Sequence, residues 1–122
     1  MVVRAVRGAT QVERDDPDAI LGGTRELLSE IIHRNGLAVE DIISVLFTMT
    51  PDLSSGFPAP AARELGLVTV PLLCATEIDV PDAMPMVIRV LAHIHTERSP
   101  AAVAHVYLRG AARLRPDLDA GQ

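Results

Sequence analysis

Three short stretches hold the residues best suited to chemistry. PMVIRVLAHIHTE, running from Pro85 to Glu97, carries Arg89, His93 and His95. Read with a period of two, Val90, Ala92 and Ile94 share one face, and Arg89, Leu91, His93 and His95 share the other. An arginine set beside Val and Leu on a strand is costly to cover without an anion, so Arg89 either pairs within the protein or meets an anionic ligand. His93 and His95 stand on one face as metal ligands sometimes do. No Cys or carboxylate sits at tight spacing to complete a set, so two surface histidines is the preferred reading. VTVPLLCATEIDV, Val68 to Val80, places Cys74 and Glu77 where an apolar run ends. A lone Cys is more often a small buried hydrophobe than a nucleophile. Pairing with His105 is conceivable, but nothing local supports it. Glu77 reads as a solvated strand-end carboxylate, or as an acceptor for a ligand hydroxyl. HVYL contains the sole tyrosine, Tyr107, and LRGAARLRPDL contains Arg109, Arg113 and Arg115. Those arginines, and Arg63 in PAARELG, are either solvated or gate an anionic site.

The composition narrows the options. The chain has 122 residues, a length that suits one domain, here residues 1–122, with 116–122 expected to form a flexible tail. Apolar residues reach 48% while aromatics are 2%, so the core must be aliphatic. This surplus implies surface hidden between subunits. A net charge of −5, without a basic stripe, argues against a nucleic-acid partner. One cysteine agrees with a reducing compartment. With neither a signal-peptide pattern at the N-terminus nor an apolar run of membrane-spanning length, a cytoplasmic protein with no membrane partner is expected. All eleven basic residues are Arg. Codon bias accounts for that, yet it also excludes a lysine Schiff base and a Walker-type phosphate loop.

The elements that must position these residues follow from local pattern. VVRAVRGATQV predicts a strand over 2–8, with Val3, Ala5 and Arg7 on one face and Arg4 and Val6 on the other. Gly8 is expected to mark a bulge or a close backbone approach. DDPDAILGGTRELLSEIIHRNG predicts a long helix capped by Asp16, opened by Pro17 and stopped at Gly36. Ile20, Leu21, Thr24, Leu27, Leu28, Ile31 and Ile32 form its apolar stripe. Gly22 and Gly23 weaken it, which close contact with a sheet would explain. Further strands are expected over 42–49, from Val68 onward with Val68, Val70, Leu72 and Leu73 in the core, over 86–96 and near 104–108. A short helix is expected over 58–65. One long helix against about five strands argues an α+β fold, a mixed five-stranded sheet packed on one helix.

Taken together and in order, RAVRGATQVERD, TPDLSSGFPAPAARELG, VPLLCATEIDV, IRVL, HVYL and LRPDL resemble the AroH-type chorismate mutases, the small, trimeric, non-helical class. The resemblance spans about residues 2–118. It implies a homotrimer whose sheets form a pseudo α/β-barrel, with active sites in clefts between subunits. It also implies conversion of chorismate to prephenate in aromatic amino-acid biosynthesis, with no cofactor, metal or covalent intermediate. By the same resemblance, Arg89 aims at the ether oxygen and an adjacent carboxylate. Arg7 binds the side-chain carboxylate with Tyr107 nearby, and Glu77 accepts from the ring hydroxyl with Cys74 close. The main chain of Leu73, Ala75 and Thr76 lines the ring, and Phe57, Arg63, Leu114 and Arg115 close the mouth.

The chain departs from the family pattern at Pro60, where members often carry Lys, and at Leu73, where the residue is often polar. The first removes a peripheral cation; the second falls where the contact is largely backbone. The alternatives are a non-catalytic trimeric module that binds a small carboxylate, and a structural protein with buried arginines.

Overall fold

The computed structural model describes residues 1–119. Five strands form one sheet: β1 (Val2–Gln11), β2 (Ile42–Met49), β3 (Leu72–Thr76), β4 (Val87–Thr96) and β5 (Val106–Leu108). Their order across the sheet is β3-β2-β4-β1-β5. The central strand β4 runs antiparallel to both β1 and β2, while β5 on β1 and β3 on β2 are parallel edge pairs. Helix α1 (Pro17–Arg34) links β1 to β2, and the short α2 (Ala59–Glu64) links β2 to β3. Parallel strands require such crossovers, and both helices settle on one face of the sheet, where α1 also meets α2.

Local chemistry starts and stops α1 as expected. The Asp16 side chain accepts from the Ala19 N–H at 2.8 Å, and Pro17 opens the helix. Gly36 ends it at φ +60°, a left-handed conformation that glycine adopts without a Cβ clash. Ile20, Thr24, Leu27, Leu28 and Ile31 are buried against the sheet. Each aliphatic member contributes roughly 1.5–3 kcal/mol by leaving water. Across the interface lie Val6, Val45, Phe47, Val90, Ala92 and Ile94, so the core is almost wholly aliphatic.

The glycines resolve differently from one another. β1 keeps a regular ladder through Gly8, so there is no bulge; a Cβ there would come within 2.8 Å of Ile31 Cδ1. Close helix approach is therefore its use. Gly23 likewise abuts Val12, but a Cβ on Gly22 would meet nothing within 4 Å. Helix–sheet contact thus accounts for Gly23 alone.

The third strand is shorter than its apolar run. It begins at Leu72, and Val68 and Leu73 are 71% and 62% exposed. The strand lies at an edge of the sheet, so its apolar run does not mark a central position. Leu73, Ala75 and Glu77 fall on the face away from the helices, and Cys74 packs into the aliphatic core beside Phe47, its partner on β2.

The second sheet face is largely uncovered. At one end the 3₁₀ turn Arg109–Leu114 folds back over it, so that Ala9, Val87, Tyr107 and Ala111 form a small cluster with Met84 and Leu114 packed on it. A short helix, α3 (Pro116–Asp119), follows. Of the tail expected over 116–122, residues 120–122 lie outside the described residues. Elsewhere on this face Val3, Leu46, Leu73 and Leu91 stand exposed. No helix among the described residues is long and apolar enough to cross a membrane.

Candidate active site

Register converts the sequence into two rows on the uncovered face. Ala75 pairs with Thr48, Thr48 with Arg89, Arg89 with Ala9, and Ala9 with Tyr107. The next row reads Leu73, Leu46, Leu91, Arg7. Side chains alternate along each strand, so every member of a row points the same way. Arg7, Leu46, Thr48, Arg89, Leu91 and Tyr107, with the backbone at Gly8 and Val90, line a groove of about 260 Å³.

Arg89 is held at the centre of this groove. Its Nε lies 3.0 Å from Oε2 of Glu77, and the Thr48 hydroxyl donates to the same oxygen at 2.6 Å. Glu77 reaches it because its N–H donates to the Met49 carbonyl at 2.9 Å, which carries the β2–β3 ladder one residue past the strand. The pair is unevenly covered, with the arginine side chain 43% exposed and the glutamate 17%. An arginine on an apolar sheet without this carboxylate would be an uncompensated charge.

The start of β4 is clamped just before Arg89. The Asp52 carboxylate accepts from the Met86 N–H at 3.1 and 3.2 Å, and the Thr50 hydroxyl donates to Asp52 at 2.5 Å. The Thr50 oxygen in turn accepts from the Val87 N–H at 3.0 Å. Met86 is thereby held at φ +58°, a turn that aims the strand into the sheet.

On the other side of the groove Arg115 pairs with Asp117 at 2.9 Å. Asp117 is the main cause that lifts the Arg115 guanidinium above its ordinary value, and the nearby Tyr107 hydroxyl adds to it. Leu114 packs in the Tyr107 cluster. A cationic, partly apolar groove with a carboxylate beside its central arginine suits a small anion that also offers a hydroxyl.

The sequence matches the family model for chorismate mutase type I over residues 3–118. It is 52% identical to chorismate mutase AroH of Thermus thermophilus, over 99% of this chain and all of that one. It is 44% identical to chorismate mutase AroH of Bacillus subtilis strain 168, over 97% of this chain and 94% of that one. A solved chorismate mutase from Clostridium thermocellum superposes with a TM-score of 0.89 at 44% identity, covering 90% of this chain and 98% of the other. The chain belongs to the type I chorismate mutase family.

For a type I chorismate mutase, the residues implied by the motifs fall into two sets within one chain. Arg7, Arg89 and Tyr107 line the groove, with Leu114 and Arg115 beside Tyr107 at its edge, while Glu77 is bound to Arg89 from behind and itself faces a neighbouring hollow with Thr50 and Asp52. Phe57, Cys74, Ala75 and Thr76 instead line a second hollow, with Met49, Leu53, Ser54 and Ser55, at the far edge of the sheet. Arg63 is exposed on α2, and Leu73 is exposed on the open face. Cys74 and Glu77, three positions apart, point to opposite faces. His105 cannot meet Cys74 within the chain, because β5 and β3 are opposite edges of the sheet. Arg109 turns away to Glu26, at 2.7 Å, and Arg113 is exposed. His93 shares its Nδ1 with the Ser44 hydroxyl at 3.0 Å.

Sequence reasoning missed Thr48 and Asp52. The period-two pattern sets Thr48 on the face of Leu46, but only the pairing with Arg89 reveals its use. Asp52 follows Pro51 in a turn-rich stretch where an aspartate has many local explanations.

Proposed function

We propose that this chain is a chorismate mutase, one domain acting on chorismate to give prephenate by an intramolecular rearrangement. The observation that carries this is the Thr48–Glu77–Arg89 arrangement, which fixes a guanidinium in a groove that Arg7 also lines. In the reaction the ether C–O bond breaks as a C–C bond forms within one molecule, and negative charge grows on the ether oxygen. Two demands follow. The flexible dianion must be held in its compact form, an orientation effect, and positive charge must already wait at that oxygen.

Arg89 meets the second demand, and its forked donors also reach the neighbouring carboxylate. Arg7 takes the side-chain carboxylate with the Tyr107 hydroxyl beside it. Thr48 and Arg89 engage Oε2 of Glu77, so its other carboxylate oxygen accepts from the ring hydroxyl. Proton transfer and covalent attack have no part in the scheme, and no cofactor is required.

The remaining residues complete the site from a neighbouring copy. Phe57, Arg63, Leu73, Cys74, Ala75 and Thr76 lie on or next to the sheet edge opposite Tyr107 and do not line its groove. The uncovered face, with Val3, Leu46, Leu73 and Leu91 exposed, supplies the surface for a homotrimer that joins the two edges. Purified protein incubated with chorismate should yield prephenate by proton NMR. Binding without conversion would instead mark a carboxylate-binding module.

A further inference from the structure

We propose that His105 is a positioning residue for Arg7, its imidazole standing in for a strand partner that β5 lacks. This rests on the reading above, in which Arg7 holds a substrate carboxylate. The parallel ladder between β1 and β5 begins at Gly8 and Val106, one residue after Arg7. On that side the Arg7 N–H has no backbone partner, and it donates to Nδ1 of His105 at 3.0 Å. The bond is exposed, so without it the Arg7 N–H would turn to water and the tie between the two strands at this position would be lost. The side chain therefore extends the ladder by one position. It ties the Arg7 backbone to the strand that delivers Tyr107, two residues on, and so sets the spacing of two groove residues with one bond.

The bond demands a particular protonation state. Nδ1 accepts only when it carries no proton, so the imidazole must be neutral with its hydrogen on Nε2. The charged groups packed around it are Arg7 on β1 and, in the C-terminal segment, Arg115 with its partner Asp117. Burial first, then the two guanidiniums, hold His105 below its ordinary value of 6.5. The neutral acceptor is thus present near neutrality and is lost as pH falls through the depressed value. A protonated ring would also repel the Arg7 and Arg115 cations, and it does not line the groove, so its charge would not replace theirs at the ligand.

His105→Asn and His105→Ala separate acceptor from titration, because Asn presents a non-titrating oxygen near the Nδ1 position. The measurement is kcat and KM for chorismate across about pH 5–8, with ¹⁵N NMR of the wild-type imidazole. Loss of one neutral hydrogen bond predicts that Ala raises KM about fivefold with kcat little changed. Asn should stay close to wild type at neutral pH. Wild-type KM should climb on the acid side, while the Asn variant stays flat there. The NMR shifts should show an unprotonated Nδ1 at neutral pH. Wild-type KM in the Ala variant, an acid rise that survives in Asn, or a proton on Nδ1 at neutral pH overturns the proposal. Should Ala fail to fold, the Asn profile and the NMR tautomer still decide it. Wild-type protein that makes no prephenate sinks the functional reading itself, a distinct outcome that removes this role too.

Discussion

Thr48 and Arg89 are direct cross-strand partners on β2 and β4, and both reach one oxygen of Glu77. The hydroxyl donates from one side and the guanidinium from the other, so the carboxylate cannot swing without breaking both contacts. Thr48→Val keeps the shape and removes the donor. A hydrogen bond to a charged group is worth roughly 1.5–3 kcal/mol, so kcat/KM should fall at least about tenfold. Steady-state kinetics check this, and an unchanged kcat/KM would show that Glu77 needs no such brace.

On the proposed mechanism Arg89 should supply the largest single share of the rate enhancement. Arg89→Ala should lower turnover by at least about a hundredfold, the usual loss for a removed oxyanion donor. Lys should rescue it poorly, because an ammonium cannot reproduce the planar fork. Citrulline at position 89 retains the shape without the charge. Near-normal turnover from that variant would refute the charge argument.

The uncovered sheet face predicts assembly. Light scattering should report three copies per particle for the wild type. Leu91→Glu, in the exposed row beside Leu46 and Arg7, should drive the particle toward single chains and abolish turnover along with it. A monomeric wild type that is fully active would dismiss the shared site.

The adjacent glycines of α1 should respond with opposite sign. Gly22→Ala meets no neighbour within 4 Å, so the helix gains about 1 kcal/mol of propensity. Gly23→Ala drives a Cβ to 2.7 Å from Val12 Cγ1. Overpacking of this kind costs about 1–3 kcal/mol, enough to outweigh the propensity. Urea unfolding of the two variants measures both, and equal shifts would refute the packing difference.

Much of this molecule is legible locally. Asp16, Pro17 and Gly36 mark the long helix because caps and stops act within a few residues. The alternation from Val87 to Thr96 separates a buried face from one that bears Arg89, because side chains on a strand alternate whatever its neighbours are. The motif blocks around Arg7, Cys74, Glu77, Tyr107 and Leu114 were enough to point to the family that the sequence and structure matches show.

Local pattern could not choose between an edge and a central strand for the run after Val68, since both are apolar. It could not show that Cys74 and Glu77 look in opposite directions across the sheet, nor that Thr48 stands opposite Arg89, nor that His105 completes β1 beside Arg7. Each of these depends on strand order and register, which are set by contacts between residues tens of positions apart. The sequence by itself therefore determined which elements form and which chemistry they bear. The tertiary structure alone decided which side chains meet, because a shift of one residue in register would turn a whole row to the other face.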